Sequence, residues 1–159
     1  MQTAESTARW FADTVAKCRL SLFRVARVMT HTDADAEDAV STAIVAAWEH
    51  LGSIRKRDAL PGYLMRCTVN ACRNIFRQSR RETVTGDLEA VSPPYREETP
   101  LWVYLSRLPE KYRLPIQLRY GENFSLEDTA SILRIPKGTV SSRCSRGLEI
   151  LKNQLTKEE

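Results

Sequence analysis

The chain has 159 residues, 42% of them hydrophobic, which is enough for one ordinary domain or two small ones with real cores. Its formal net charge of +4 conceals a split: residues 82 to 99 hold Glu82, Asp87, Glu89, Glu97 and Glu98 against Arg96 alone, so they carry −4 and the remainder +8. No stretch reaches the eighteen or so apolar residues of a membrane span, and the opening MQTAESTARWFADTV has no uninterrupted apolar run, which argues against membrane insertion and secretion.

Apolar residues Phe11, Val15, Cys18, Leu22, Val25 and Met29 recur at steps of four and three, predicting a helix from about Thr7 to Met29 with one buried stripe. Polar capping groups follow. Ala36, Val40, Ala43, Ala47 and Leu51 then predict a second helix over about residues 35 to 51, with Trp48 in the core. After a Gly52-Ser53 break and the basic loop Arg55-Lys56-Arg57, Pro61 stands where a first-turn proline is tolerated. Leu64, Cys67, Ala71 and Ile75 mark a third helix reaching about Arg81.

Residues 83 to 99 show neither helical nor strand periodicity. Gly86, Pro93, Pro94 and the acids predict a flexible acidic linker, so the expected division is 1–82, 83–99 and 100–159. Beyond it, Leu101, Leu105 and Leu108 suggest a short helix, and Pro109 opens another that Pro115 must kink or strain. Ser125-Leu126-Glu127-Asp128 resembles a capping box with Asp in place of Glu or Gln. The turn Arg134-Ile135-Pro136-Lys137-Gly138 separates that helix from a longer one carrying Val140, Cys144, Leu148, Leu151 and Leu155, of which Val140, Cys144 and Leu148 form a face that can pack inward. This is a helix-turn-helix layout, and the predicted fold is all-α: two small helical domains, the second a helix-turn-helix.

In a DNA-reading helix-turn-helix, the first turns of the second helix reach base edges. Lys137, Thr139, Ser141, Ser142, Arg143 and Arg146 occupy those turns, and Thr139, Ser142, Arg143 and Arg146 share a face opposite the apolar one. Arginine can bond guanine O6 and N7 together, and serine or threonine can meet base or phosphate. An amphipathic surface helix with solvated arginines would fit the same segment.

No nucleophile with its base, no HExxH and no P-loop occurs, which argues against an enzyme and against any cofactor. Cys18, Cys67, Cys72 and Cys144 form no CxxC pair and have only His31 and His50 as imidazole company, so no zinc site is expected. Thiols of this kind fit a reducing, cytoplasmic compartment.

The stretch from Leu108 to Lys152 resembles the C-terminal promoter-reading domain of extracytoplasmic-function (ECF) sigma factors of the sigma-70 family. Its LPEKYR opening, SLEDTASIL first helix and GTVSSRCSRG second helix stand in the family's order and spacing. The resemblance implies that Lys137, Thr139, Ser141, Ser142, Arg143 and Arg146 read the minus-35 element, although Ser141 and Ser145 replace the longer residues common there. Residues 36 to 48 resemble the segment with which the family binds the clamp of bacterial core RNA polymerase, which implicates Asp35, Asp38, Ser41 and Thr42. Ser41 and Thr42 stand where Gln and Glu are usual.

Tyr63, Asn70, Arg73 and Arg77 resemble the family's minus-10 helix, and the loop from Ser53 to Asp58, with Lys56 and Arg57, stands where the family captures a flipped base. Tyr63 itself is expected to pack mainly in the core. The implied partners are core polymerase, promoter DNA and an anti-sigma factor. A stand-alone helix-turn-helix regulator and a protein-binding helical adaptor remain as competing readings, separated from the first by whether promoter binding depends on polymerase and whether DNA is bound at all.

Overall fold

The computed structural model describes residues 3–30, 32–82 and 100–157. All regular structure among them is helical: α1 (Ala4–Met29), α2 (Asp33–Glu49), α3 (Leu60–Glu82), α4 (Pro100–Arg107), α5 (Glu110–Ile116), α6 (Leu126–Leu133) and α7 (Lys137–Lys157). Single 3₁₀ turns at Leu51–Ser53 and Arg57–Ala59 carry the chain from α2 into α3. The expected linker 83–99 and His31 lie outside the described residues.

The starts of α1, α2 and α6 are set by hydroxyl caps. Thr3 accepts from the Ser6 amide, Thr32 from Asp35 at 3.0 Å and Ser125 from Asp128 at 3.0 Å, each satisfying a first-turn N–H that has no partner within the helix. Thr32 starts α2 two residues earlier than its apolar pattern implies. The joint between α1 and α2 is tied by Arg27, whose buried guanidinium meets Asp33 Oδ1 at 2.7 Å and donates to the Thr30 carbonyl at 2.8 Å.

The first core is formed by Leu22, Val25 and Ala26 of α1, Ala36, Ala39, Val40 and Ala47 of α2, and Leu60, Leu64, Met65, Val69 and Cys72 of α3. Because α2 presents almost only alanine inward, it can lie close to its neighbours, and the large side chains of α3 fill the space. Trp48 departs from expectation. It is 46% exposed and meets Phe11 edge to face, ring centroids 5.1 Å apart, because Ala47 takes the inward position one residue earlier.

A second cluster joins Leu105 of α4, Leu108 just beyond its end, Ile116 of α5, Ala130 of α6 and Val140, Cys144 and Leu151 of α7. Leu148, expected to point inward, is 41% exposed, and Leu155 further along the helix is 43% exposed. The inward position is held by Gly147, where α5 presses closest to α7. Leu114, Leu118, Ile132 and Leu133 turn the other way and join the first core, so α1 and α3 pack against α5 and α6.

Pro115 is buried inside α5, and the helix passes directly into a wider π turn at Gln117–Gly121, closed by Glu122 N to Gln117 O at 2.9 Å. A proline lacks the amide for the regular ladder, and a widened turn accommodates the loss. Among the described residues no helix is long and apolar enough to cross a membrane.

Two glycines give opposite expectations. A Cβ on Gly147 would run into the Ile116 side chain and come within 3.1 Å of Tyr112 Cβ, whereas one on Gly62 of α3 would meet nothing within 4 Å. Gly147→Ala should destabilise by about 1 to 3 kcal/mol through overpacking. Gly62→Ala should stabilise by up to about 1 kcal/mol through helix propensity. Urea denaturation followed by circular dichroism measures both signs.

Candidate nucleic-acid and polymerase interface

Helix α7 follows a tight turn in which Arg134 adopts the left-handed conformation, φ 56°, and ends α6. Lys137 Nζ meets Glu127 Oε1 at 2.9 Å across that turn, fixing the two helices of the motif; the hydrogen bond and the charge of Lys137 hold the Glu127 carboxyl below its ordinary range. Thr139, Ser142, Arg143 and Arg146 then line one open groove of about 520 Å³, as their spacing predicts.

The individual side chains differ. Ser142 Oγ donates to the Gly138 carbonyl at 2.9 Å, and Arg146 Nη1 meets Glu149 Oε2 at 3.2 Å, while Arg143 is half-buried. Ser141 is exposed beside the groove without lining it, and Lys137 is engaged with Glu127. The opposite wall is Lys111 and Tyr112 of α5, the lysine 4.9 Å from the tyrosine ring centroid. Sequence reasoning passed over Lys111; its place in the LPEKYR segment was the available signal.

The second cluster lies on α3 and the loop before it. Tyr63 is half-buried and shares a cavity of about 410 Å³ with Ser53, Arg55, Asp58 and Arg66, whose far wall is Asp128, Ser131 and Ile132 of α6. Burial raises the Tyr63 hydroxyl above its ordinary value, Cys67 adds to the rise, and Ser53 and Arg66 oppose it. Lys56 and Arg57 do not line this cavity. Lys56 is exposed, and the Arg57 guanidinium sits 4.8 Å over the Trp10 ring of α1, a cation–π contact that draws it aside.

Asn70 lines an adjoining space of about 390 Å³ together with Thr42, His50, Tyr63 and Arg134. Arg73 lines a third, about 310 Å³, with Glu110, Lys111 and Arg143, so one candidate minus-10 residue and one candidate minus-35 residue face the same cavity. Arg77 is exposed and lines none of these spaces.

On α2, Asp38 and Ser41 lie on an outward strip that Val45 and Trp48 continue at helical spacing, all exposed. Thr42 is exposed at its edge and Asp35 is half-buried in the first turn. The apolar end of the strip was not foreseen, because Trp48 was assigned inward.

Against known proteins, the model of Sigma-70 region 2 matches residues 14–82, and that of Sigma-70, region 4 matches residues 104–153. The RNA polymerase sigma-H factor of Pseudomonas aeruginosa is 30% identical over 145 residues, covering 79% of this chain and 75% of that protein. The chain belongs to the sigma-70 family of RNA polymerase sigma factors, in its ECF group. The ECF RNA polymerase sigma factor SigM of Mycobacterium tuberculosis is 36% identical over 131 residues, 79% of this chain; the match spans 66% of SigM, just under two thirds of its length. Among solved structures, the sigma factor RpoE of Bartonella quintana in complex with the anti-sigma factor NepR superposes with a TM-score of 0.76, at 25% identity and over 92% of this sigma factor and 96% of that chain.

The cysteines of this sigma factor are free, and burial raises the thiols of Cys18, Cys67 and Cys144. Cys72, 1% exposed, is pushed up to about 12 by burial first and then by the charges of Glu110 and Asp35. At pH 8 only about one Cys72 in ten thousand is a thiolate, the reactive form. Iodoacetamide should therefore label Cys18 and Cys67 slowly and leave Cys72 unmodified until the protein unfolds, as peptide mass spectrometry would show.

Proposed function

We propose that this chain binds bacterial core RNA polymerase and directs promoter recognition, promoter opening and transcription initiation. The observation that carries the reading is the α7 groove: Thr139, Ser142, Arg143 and Arg146 converge there with Lys111. A helix with hydroxyls and guanidinium groups on one face suits the major groove, and a lysine on the flanking helix suits a phosphate. In this reading Asn70, Arg73 and Arg77 on α3, with the loop holding Lys56 and Arg57 and with Tyr63, hold the opened minus-10 strand, and Asp35, Asp38, Ser41 and Thr42 meet the polymerase clamp.

The division of labour follows the regions: residues 1–82 for polymerase and minus-10, 83–99 as connector, 100–159 for minus-35. The chain acts in the cytoplasm without catalysis or cofactor of its own. The Bartonella relative was solved with an anti-sigma factor. We extend that class of partner to this chain.

The direct experiment is in vitro transcription with bacterial core polymerase and a library of promoters. Enrichment of particular promoters only when both proteins are present supports the reading, and duplex binding without polymerase would favour a stand-alone regulator. Asp38→Arg should weaken binding to core polymerase by about tenfold, ~1.4 kcal/mol, by opposing basic groups on the partner. Titration of the folded variant against labelled core enzyme measures it.

Arg143 and Arg146 should separate in role. Arg143→Ala is expected to cost about 1 to 3 kcal/mol and relax preference at one base pair of the minus-35 element, as loss of a guanine contact would. Arg146, already shared with Glu149, lies deeper along the helix; its alanine variant should lower affinity evenly across sequences with a shallower salt dependence. Holoenzyme binding to a varied minus-35 library at two salt concentrations distinguishes the two patterns.

A further inference from the structure

The loop between α2 and α3 is held at both ends and left open in the middle. At its start Ser53 Oγ donates to the His50 carbonyl at 2.7 Å, and Ile54 packs against the first core. At its end the Ala59 amide closes a 3₁₀ turn on the Lys56 carbonyl at 3.1 Å, and the Arg57 guanidinium lies 4.8 Å over the indole of Trp10. Arg55 and Lys56, between those anchors, are exposed, and Arg55 lines the cavity it shares with Ser53 and Tyr63.

Trp10 is itself firmly placed. It stands inside α1, its carbonyl accepts from Thr14 Oγ1 at 2.9 Å, and its half-buried ring packs against the first core next to buried Phe11. An indole is the best of the aromatic faces for a cation. Because the ring is fixed by packing, the attraction brings the loop to the ring. Trp10 also precedes residues 14–82, the segment that Sigma-70 region 2 matches, so that match assigns it nothing.

We propose that Trp10 is a positioning residue for minus-10 recognition: through Arg57 it fixes the loop, so that Arg55 and Lys56 meet the opened strand while Arg57 serves as the tether. The inference deepens the promoter reading and rests on it. Base discrimination needs donors at set positions, whereas attraction to the phosphate backbone does not. Loss of the indole therefore costs specificity at minus-10 before it costs affinity.

The test uses the full chain with bacterial core polymerase and four variants: Trp10→Leu, Trp10→Phe, Arg57→Gln, and Trp10→Leu combined with Arg57→Gln, each checked for folding by circular dichroism. Limited trypsinolysis of the free chain, read by mass spectrometry, reports how readily the loop opens at Arg55. Holoenzyme selection from promoters varied at minus-10 and at minus-35 reports specificity. Trp10→Leu should speed cleavage at Arg55 and reduce preference at a minus-10 base about fivefold, the equivalent of one cation–π contact, with minus-35 preference and core affinity as in the parent. Trp10→Phe, which keeps a ring, should retain most of the preference. The double variant should lose no more than Trp10→Leu, because both changes cut one contact. Should Trp10→Leu not fold, Arg57→Gln must give the faster cleavage and the minus-10 loss by itself, and its failure to do so overturns the proposal. Unchanged cleavage at Arg55 overturns the tether. Equal losses at minus-10 and minus-35, or additive losses in the double variant, overturn the positioning role. The cleavage readout does not involve DNA, whereas a parent holoenzyme without any minus-10 preference would count against the promoter reading itself.

Discussion

A carboxylate withdrawn from water has to find partners for both oxygens, and at Glu122 all of them come from residues the chain must bring together. Arg24 and Ser21 lie about a hundred positions away, and Gln117 is aimed by the π turn. Such a pair adds little net stability compared with apolar side chains of equal volume, because both charges must be desolvated. Removing one partner is far more costly, about 3 to 5 kcal/mol, since the other is left buried and alone. The contact therefore specifies one packing of the halves more than it strengthens the fold. Leu114, Leu118, Ile132 and Leu133, which face the first core, supply the apolar area under it.

Secondary structure was legible because the helices follow an apolar periodicity, and α1, α2 and α6 add a hydroxyl cap. The stripe of α1 and the Ser125 cap of α6 led to helices whose ends differ from expectation by a few residues, and the hydroxyl of Thr32 accounts for the early start of α2. The errors occurred one residue from the true inward position. Trp48, as an aromatic, and Leu148, by its spacing from Val140 and Cys144, were expected in the core, yet their preceding neighbours Ala47 and Gly147 face inward, where helices approach too closely for a large side chain. Apolar size is a poor guide wherever backbone proximity decides.

The candidate site was partly legible. Thr139, Ser142, Arg143 and Arg146 share a groove because helical spacing alone dictates it. What periodicity cannot reveal is any relation between distant elements. Lys111 opposite Arg143, Arg57 drawn to Trp10, and Asn70 beside Arg134 all depend on tertiary packing. The pairing of Glu122 with Arg24 is of the same kind: nothing in either local sequence marks one for the other.

The cavity shared by Arg73, Lys111 and Arg143 gathers three cations against the single carboxylate of Glu110. Mobile ions screen such partly exposed repulsion effectively, but they reach the enclosed Glu122 pair much less. Added salt consequently favours the packed arrangement of the halves while it also weakens phosphate contacts.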